Sequence, residues 1–184
     1  MRYLSTLLTC LFLAGCAHQE PPQTPVEPPT TVPTPTPPPV IANAAGTSWT
    51  LDLSPWAAGW WQKRTATLPD SEVALISTDQ STYLNIGGFA SDKPLILIVP
   101  AAQKAFMQGG YTVGEPTTVV SGSSTGMMTG QQMKVVWLHY TDWATIFATG
   151  HHIVFVMCGG ETDNLIQNQT TCDLVILKLS ITEP

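Results

Sequence analysis

Met133-Lys-Val-Val-Trp-Leu-His-Tyr140-Thr-Asp-Trp143-Ala-Thr-Ile-Phe-Ala148-Thr-Gly-His-His152-Ile-Val-Phe-Val-Met-Cys158 is the stretch that decides the fold. It contains three runs rich in β-branched and aromatic residues, 133–140, 143–148 and 153–158, and Thr149-Gly150-His151-His152 has the chemistry of a hairpin turn. Consecutive strands joined by short connections form an antiparallel meander. Upstream, residues 117–121 read as a strand entering a Gly/Ser loop. Residues 73–78 and 82–87 read as a hairpin around Asp79-Gln80-Ser81, and Trp49-Thr-Leu-Asp-Leu53 alternates as a half-buried strand does. Residues 95–99 are a short apolar run. Pro100 fits the first turn of a helix that runs through 101–107 and stops at Gly109-Gly110. After Gly159-Gly160 the period moves towards 3.6, so Leu165, Cys172, Val175, Ile176 and Leu179 share one helix face. Leu174-Val-Ile-Leu177 is apolar throughout, so a strand over 174–181 stays open as the alternative. The fold class expected is α+β, an antiparallel sheet with helices packed on it.

The opening strand at 49–53, the Trp/Gly segment from Trp56 to Trp61, the hairpin over 73–87, the meander and the closing helix follow one another in an order that resembles the PsbP-like fold, a sandwich that includes the DcrB-like bacterial lipoproteins. The resemblance spans most of residues 47–181, and residues 93–99 depart from its pattern. It implies a binding or assembly role and transfers no functional residue.

The amino end reads as an export leader. Arg2 supplies positive charge, and residues 4–14 are mostly apolar, too few for the roughly 20 needed to span a bilayer. Leu13-Ala14-Gly15-Cys16 resembles the bacterial lipobox, which implies cleavage after residue 15 and acylation of Cys16 through a thioether. Two or more acyl chains anchor a protein firmly, so membrane attachment is expected without a transmembrane helix. Ala17, rather than Asp, follows the cysteine, which resembles an outer-membrane sorting signal in a Gram-negative envelope. The protein is therefore expected in the cell envelope, facing the periplasm in that case.

Residues 1–15 are thus expected as signal peptide, 16–45 as acylated cysteine and proline-rich linker, and 46–184 as the globular domain. Ten of the sixteen prolines lie between Pro21 and Pro39. Such a segment buries too little apolar surface to fold and favours an extended, disordered stalk, with a reach on the order of 60–70 Å. The domain has the opposite character, since the whole chain is 43% hydrophobic and only 11% charged. Seven basic against thirteen acidic residues, a net charge of -6, make nucleic acid and anionic lipid surfaces poor partners.

Four cysteines are present. Cys10 falls in the leader and Cys16 takes the lipid, leaving Cys158 and Cys172 in an oxidising compartment, where a disulfide is expected. A Cys/His metal site with His151 or His152 is the rival. Neither cysteine belongs to a C-x-x-C pair and adjacent strand residues face opposite ways, so no metal and no cofactor is expected.

Gly122-Ser-Ser-Thr-Gly126 matches the nucleophile-elbow pattern around Ser124, with Asp142 and His151 or His152 following in hydrolase order. An elbow needs a helix after it, and here another strand follows, so no catalytic residue is assigned. His18 lies in the stalk and His139 in a strand, neither with a partner visible in sequence. Of the six tryptophans, Trp49, Trp137 and Trp143 read as strand residues. Trp56, Trp60 and Trp61 stand in a Pro/Gly-broken segment, where they either cover the sheet or line a groove for a peptide, glycan or lipid. The function expected is a lipid-anchored, non-enzymatic interaction or assembly module with a protein partner in the envelope. A small-ligand or lipid carrier is the second class, and a Ser124 hydrolase the third.

Overall fold

The computed structural model describes residues 40–44, 47–66, 68, 70–123 and 126–182. The expected leader, Cys16, the proline segment and Ser124 lie outside the described residues. Strands β1 (Val40–Ala44) and β2 (Thr47–Leu51) pair antiparallel. β1 falls inside the span expected as linker, because prolines stop at Pro39 and Val40-Ile41-Ala42 is apolar and free to pair. Short β3 (Trp61–Lys63) is followed by the hairpin β4 (Ser71–Ser77) and β5 (Thr82–Ala90), whose turn is held by Asp79 Oδ1 accepting from Ser77 Oγ at 2.5 Å and Ser81 Oγ at 2.7 Å.

Helix α1 runs from Leu95 to Gln108, five residues earlier than the proline signal indicated. Pro100 sits inside it and leaves the Ile96 carbonyl without its i+4 donor. Ile96 is 78% exposed, so water can serve that carbonyl, while Leu95, Ile98, Val99, Ala102 and Phe106 pack on the sheet. Gly109 and Gly110 close the helix, Gly110 with φ +87°.

β6 (Thr112–Val113), β7 (Thr117–Ser123), β8 (Gly126–Trp137), β9 (Tyr140–Thr149) and β10 (His152–Glu161) follow. The meander β8–β9–β10 is antiparallel as expected, with Met133 opposite Ala144 and Cys158 opposite Trp143, but the run read as a strand over 133–140 turns back at Leu138-His139, so His139 lies in the turn and Tyr140 opens β9. A 3-10 turn (Thr162–Asn164) leads into α2 (Leu165–Lys178), and the chain ends its described part in β11 (Leu179–Thr182). Both open readings of the last segment are partly realised. The helix stops at Lys178, and Leu179 and Ile181 belong to a strand instead of the helix face.

All strands share one sheet, ordered β1-β2-β11-β7-β8-β9-β10-β5-β4-β3, with β6 also on β8. Every pairing is antiparallel except β11 with β7, so the sheet is mixed. The two helices take opposite faces. On one, Trp49, Leu84, Ile86, Trp143, Phe147, Val154 and Val156 meet Cys172, Val175 and Ile176 of α2. On the other, Met133, Val135, Ala144, Ile146 and Ile153 meet Val99 of α1. Strand alternation sends successive residues of β9 and β10 into these two cores in turn. Asn168 fastens α2 to the sheet by accepting from Thr82 Oγ1 at 2.8 Å and donating to the Glu161 carbonyl at 3.0 Å. Cys158 and Cys172 are joined, with S–S 2.07 Å and Cα–Cα 5.5 Å.

Candidate functional site

Helix α1 covers only part of its face. Beyond its last turn the same face of the sheet is open, and a cavity of about 640 Å³ lies there. Its floor is set by alternation. Tyr83 and Asn85 of β5, Met157 of β10 and Asp142 of β9 point to this side, while Leu84, Ile86 and Cys158 point to the α2 core. Its wall is aromatic: Tyr111, which the Gly109-Gly110 stop delivers to the rim, lies 5.9 Å from Trp137, and Tyr140 stands across the hairpin from Trp137. Arg64, past β3, places its guanidinium 5.3 Å from the centre of the Tyr83 ring. Trp137 and Tyr140 are 45% and 37% exposed, and Leu138 between them holds a left-handed φ of +54°. A non-glycine residue in that region carries strain, and such strain concentrates at functional loops.

The polar floor is unusual in what it leaves unmet. Asn85 is 1% exposed, and neither its amide nitrogen nor its amide oxygen has a hydrogen-bond partner among the described residues. Burial of such a group costs on the order of 1–3 kcal/mol when nothing answers it. Asn168, just as buried, spends both atoms on its neighbours, so the fold can satisfy a buried amide where one is needed for structure. Asp142, 4% exposed, accepts from the Tyr83 hydroxyl. Burial pushes its carboxyl up to about 6, partly offset by the Tyr83 hydrogen bond. Burial, and then the neighbouring Asp142 charge, drive the Tyr83 phenol well above its ordinary value. The carboxyl of Asp142 lies over Gly159, its cross-strand partner, where a Cβ would overlap Oδ1. A Cβ at 159 would also overlap the Thr141 carbonyl and the Asp142 Cα, so the close approach of the two strands itself requires glycine there.

The residues singled out from sequence fall elsewhere. Trp56, Trp60 and Trp61 form one cluster, with ring centres 6.3, 5.7 and 4.6 Å apart. All three are half-buried, and Trp56 and Trp61 pack against the α2-side core. None of them lines the cavity. The hydrolase partners do not converge. Asp142 and His152 sit at opposite ends of the β9–β10 ladder, and seven residues of strand at about 3.4 Å each separate them. His151 meets Asp92 at 2.9 Å on the surface. The Cys/His metal alternative loses its sulfur to the disulfide and has its histidines at the far end of β10 from Cys158. Asp142 entered the sequence reading as a triad member, and the structure gives it a different setting. Tyr83 and Asn85 were missed. The available signal was a polar Asn85 between Leu84 and Ile86 in a strand, a mark of a second face that is buried yet not apolar.

No protein-family model matches the chain, and no curated protein matches it. The solution structure of cyanobacterial PsbP (CyanoP) from Synechocystis sp. PCC 6803 is similar to it over 73% of this chain and 85% of that one, at 12% identity and a TM-score of 0.48. At that distance no residue and no role passes from one to the other.

Proposed function

We propose that this chain is a lipid-anchored, non-enzymatic protein of the cell envelope whose domain works by binding a ligand in the cavity beside α1. The observation that carries the reading is Asn85, an amide buried at the cavity floor with both polar atoms unmet. A cost retained at the bottom of an aromatic-walled hollow is the pattern of a site that gives up stability for binding. The cavity volume is in the range that takes a small molecule or a few residues of peptide. The carrier class therefore has more support than a flat interaction surface, and a protein partner remains compatible with a short peptide in the same place.

The test is Asn85→Leu. Leucine is close in size and leaves no amide to satisfy, so the variant should unfold at a higher denaturant concentration, by about 1–2 kcal/mol, while losing ligand. Native mass spectrometry of the full chain taken gently from envelopes should show added mass on the wild type that Asn85→Leu lacks. A less stable variant would mean that Asn85 serves the fold, and the reading would fall.

Anchoring has its own test. Cys16→Ser cannot form the thioether, so the protein should leave the membrane fraction or accumulate with its leader uncut. Normal membrane fractionation of that variant would rule out the lipid anchor.

A further inference from the structure

We infer that the ligand of this cavity carries a primary ammonium group next to an amide, as the amino end of a short peptide does, with the ammonium seated between Asp142 and the aromatic wall and the amide meeting Asn85. The inference rests on the cavity being a binding site and adds the chemistry of what enters it.

Three observations point the same way. First, charge: three carboxylates, Asp79, Asp142 and Glu161, face the cavity against one guanidinium, Arg64, which lies over the Tyr83 ring. Second, Asp142 is almost wholly buried, and among the described residues its carboxyl accepts a hydrogen bond from Tyr83. A carboxylate taken out of water is stabilised most by a cation brought to it, and an ammonium supplies charge and donors together. Third, the rings of Tyr111, Trp137 and Tyr140 stand beside it, and aromatic faces attract ammonium groups. Asn85 then selects among cations. Its unmet N–H and C=O ask for a group that both accepts and donates, which a peptide or carboxamide unit does and a bare amine does not. Met157, opposite Asn85 on the next strand, is the flexible side chain that can yield to let the ligand reach it. A sugar would also stack on aromatic rings, but it would leave the excess of negative charge unanswered.

The probe is triglycine amide, compared with its N-acetyl form, titrated into the full-length chain in detergent and followed by calorimetry. Acetylation turns the cationic amine into a neutral amide and keeps the amides already there. The free-amine peptide should bind at least tenfold more tightly at pH 7.5. That advantage should fade as pH drops through about 6, where Asp142 takes up a proton. The other titratable or charged groups around it are Arg64, Asp79, Tyr83, Tyr111, Tyr140 and Glu161. Burial brings Asp142 into this window, and Asp79 is held below its usual range by its Ser77 and Ser81 hydrogen bonds. Asp142→Asn should abolish the tenfold difference between the two peptides. Its circular dichroism serves to confirm that it folds.

Equal binding of the two peptides, both lost in Asn85→Leu, would overturn the ammonium assignment and leave the cavity reading standing. Failure of the free-amine peptide to bind would also overturn the assignment. Whether the binding site itself then falls is decided separately, by the stability of Asn85→Leu.

Discussion

Lowering the pH from 7 to 4 should stabilise the domain by about 2 kcal/mol through Asp142 alone. Its carboxyl titrates near 6 in the fold against 3.8 as its ordinary value, and burial is the main cause. A raised carboxyl means that the folded state holds a proton over a range in which the unfolded chain has already released it. Stability therefore falls as pH rises from about 4 through about 6, and at pH 7 the full cost of keeping a buried carboxylate is present. Glu72 and Asp173 are also raised by burial and add in the same direction. Asp52 and Asp79 are lowered by hydrogen bonds from Ser54 and from Ser77 and Ser81, so their contributions begin to fall near pH 4 and are lost mostly below it. Asp142→Asn keeps an oxygen for the Tyr83 hydroxyl and removes the charge, so it should be more stable than the wild type at pH 7 by up to about 3 kcal/mol. Urea unfolding of both proteins at pH 4, 5.5 and 7 provides the measurement. A wild type whose stability is flat across that range, or an Asn variant weaker at pH 7, would show that Asp142 is charged at little cost. The pH range would be telling for function as well, because the same ionisation that weakens the fold prepares the cavity for a cation.

Reduction of Cys158–Cys172 should cost about 3 kcal/mol, the figure expected for a closed loop of about this length, with a sequence separation of 14. The bridge ties the end of β10 to the middle of α2 across the larger core. Opening it frees the unfolded chain more than it disturbs the native packing, since Val175 and Ile176 still hold the helix in place. Far-UV circular dichroism should therefore be unchanged without denaturant, while the midpoint of unfolding shifts down. Both sulfurs belong to residues 1% exposed, so thiol reagents should reach them only after reduction and unfolding together. An unchanged midpoint under reductant, or labelling of both cysteines without reductant, would contradict the bridge. Cys158→Ala with Cys172→Ala is the cleaner variant, because serine would add two buried hydroxyls.

The meander was legible from sequence because side-chain period two is rigid. A one-residue slip in 143–148 or 153–158 would turn Phe147 and Val154 out of their core, so pattern and pairing constrain each other. The Cys158–Cys172 pair was legible because two cysteines outside the expected leader and lipidation position, in a chain expected to be exported, have few outcomes. Proline and apolar runs were less informative. Pro100 looked like a helix start, yet the helix begins at Leu95, since an exposed carbonyl at Ile96 can turn to water and the packing of Leu95, Ile98 and Val99 outweighs one lost hydrogen bond. Leu174-Val-Ile-Leu177 fitted either period. What decides it is the slot between β2 and β7, where Leu179 and Ile181 point inward as a strand.

The sequence by itself determined the strand meander, an α+β composition, the position of a disulfide and the chemical difference between a proline-rich segment and an apolar domain. Each of these rests on neighbours in the chain or on a chemistry with few alternatives. Tertiary structure alone decided the candidate site. Arg64, Tyr83, Asn85, Tyr111, Trp137 and Asp142 come from separate elements, and each looks ordinary in its own segment. Alternation says which residues share a face but not which faces are covered. Here α1 ends at Gly109-Gly110 before its face does, so a set of polar and aromatic side chains that a longer helix would have covered is left lining a cavity, with Asn85 unanswered at its floor.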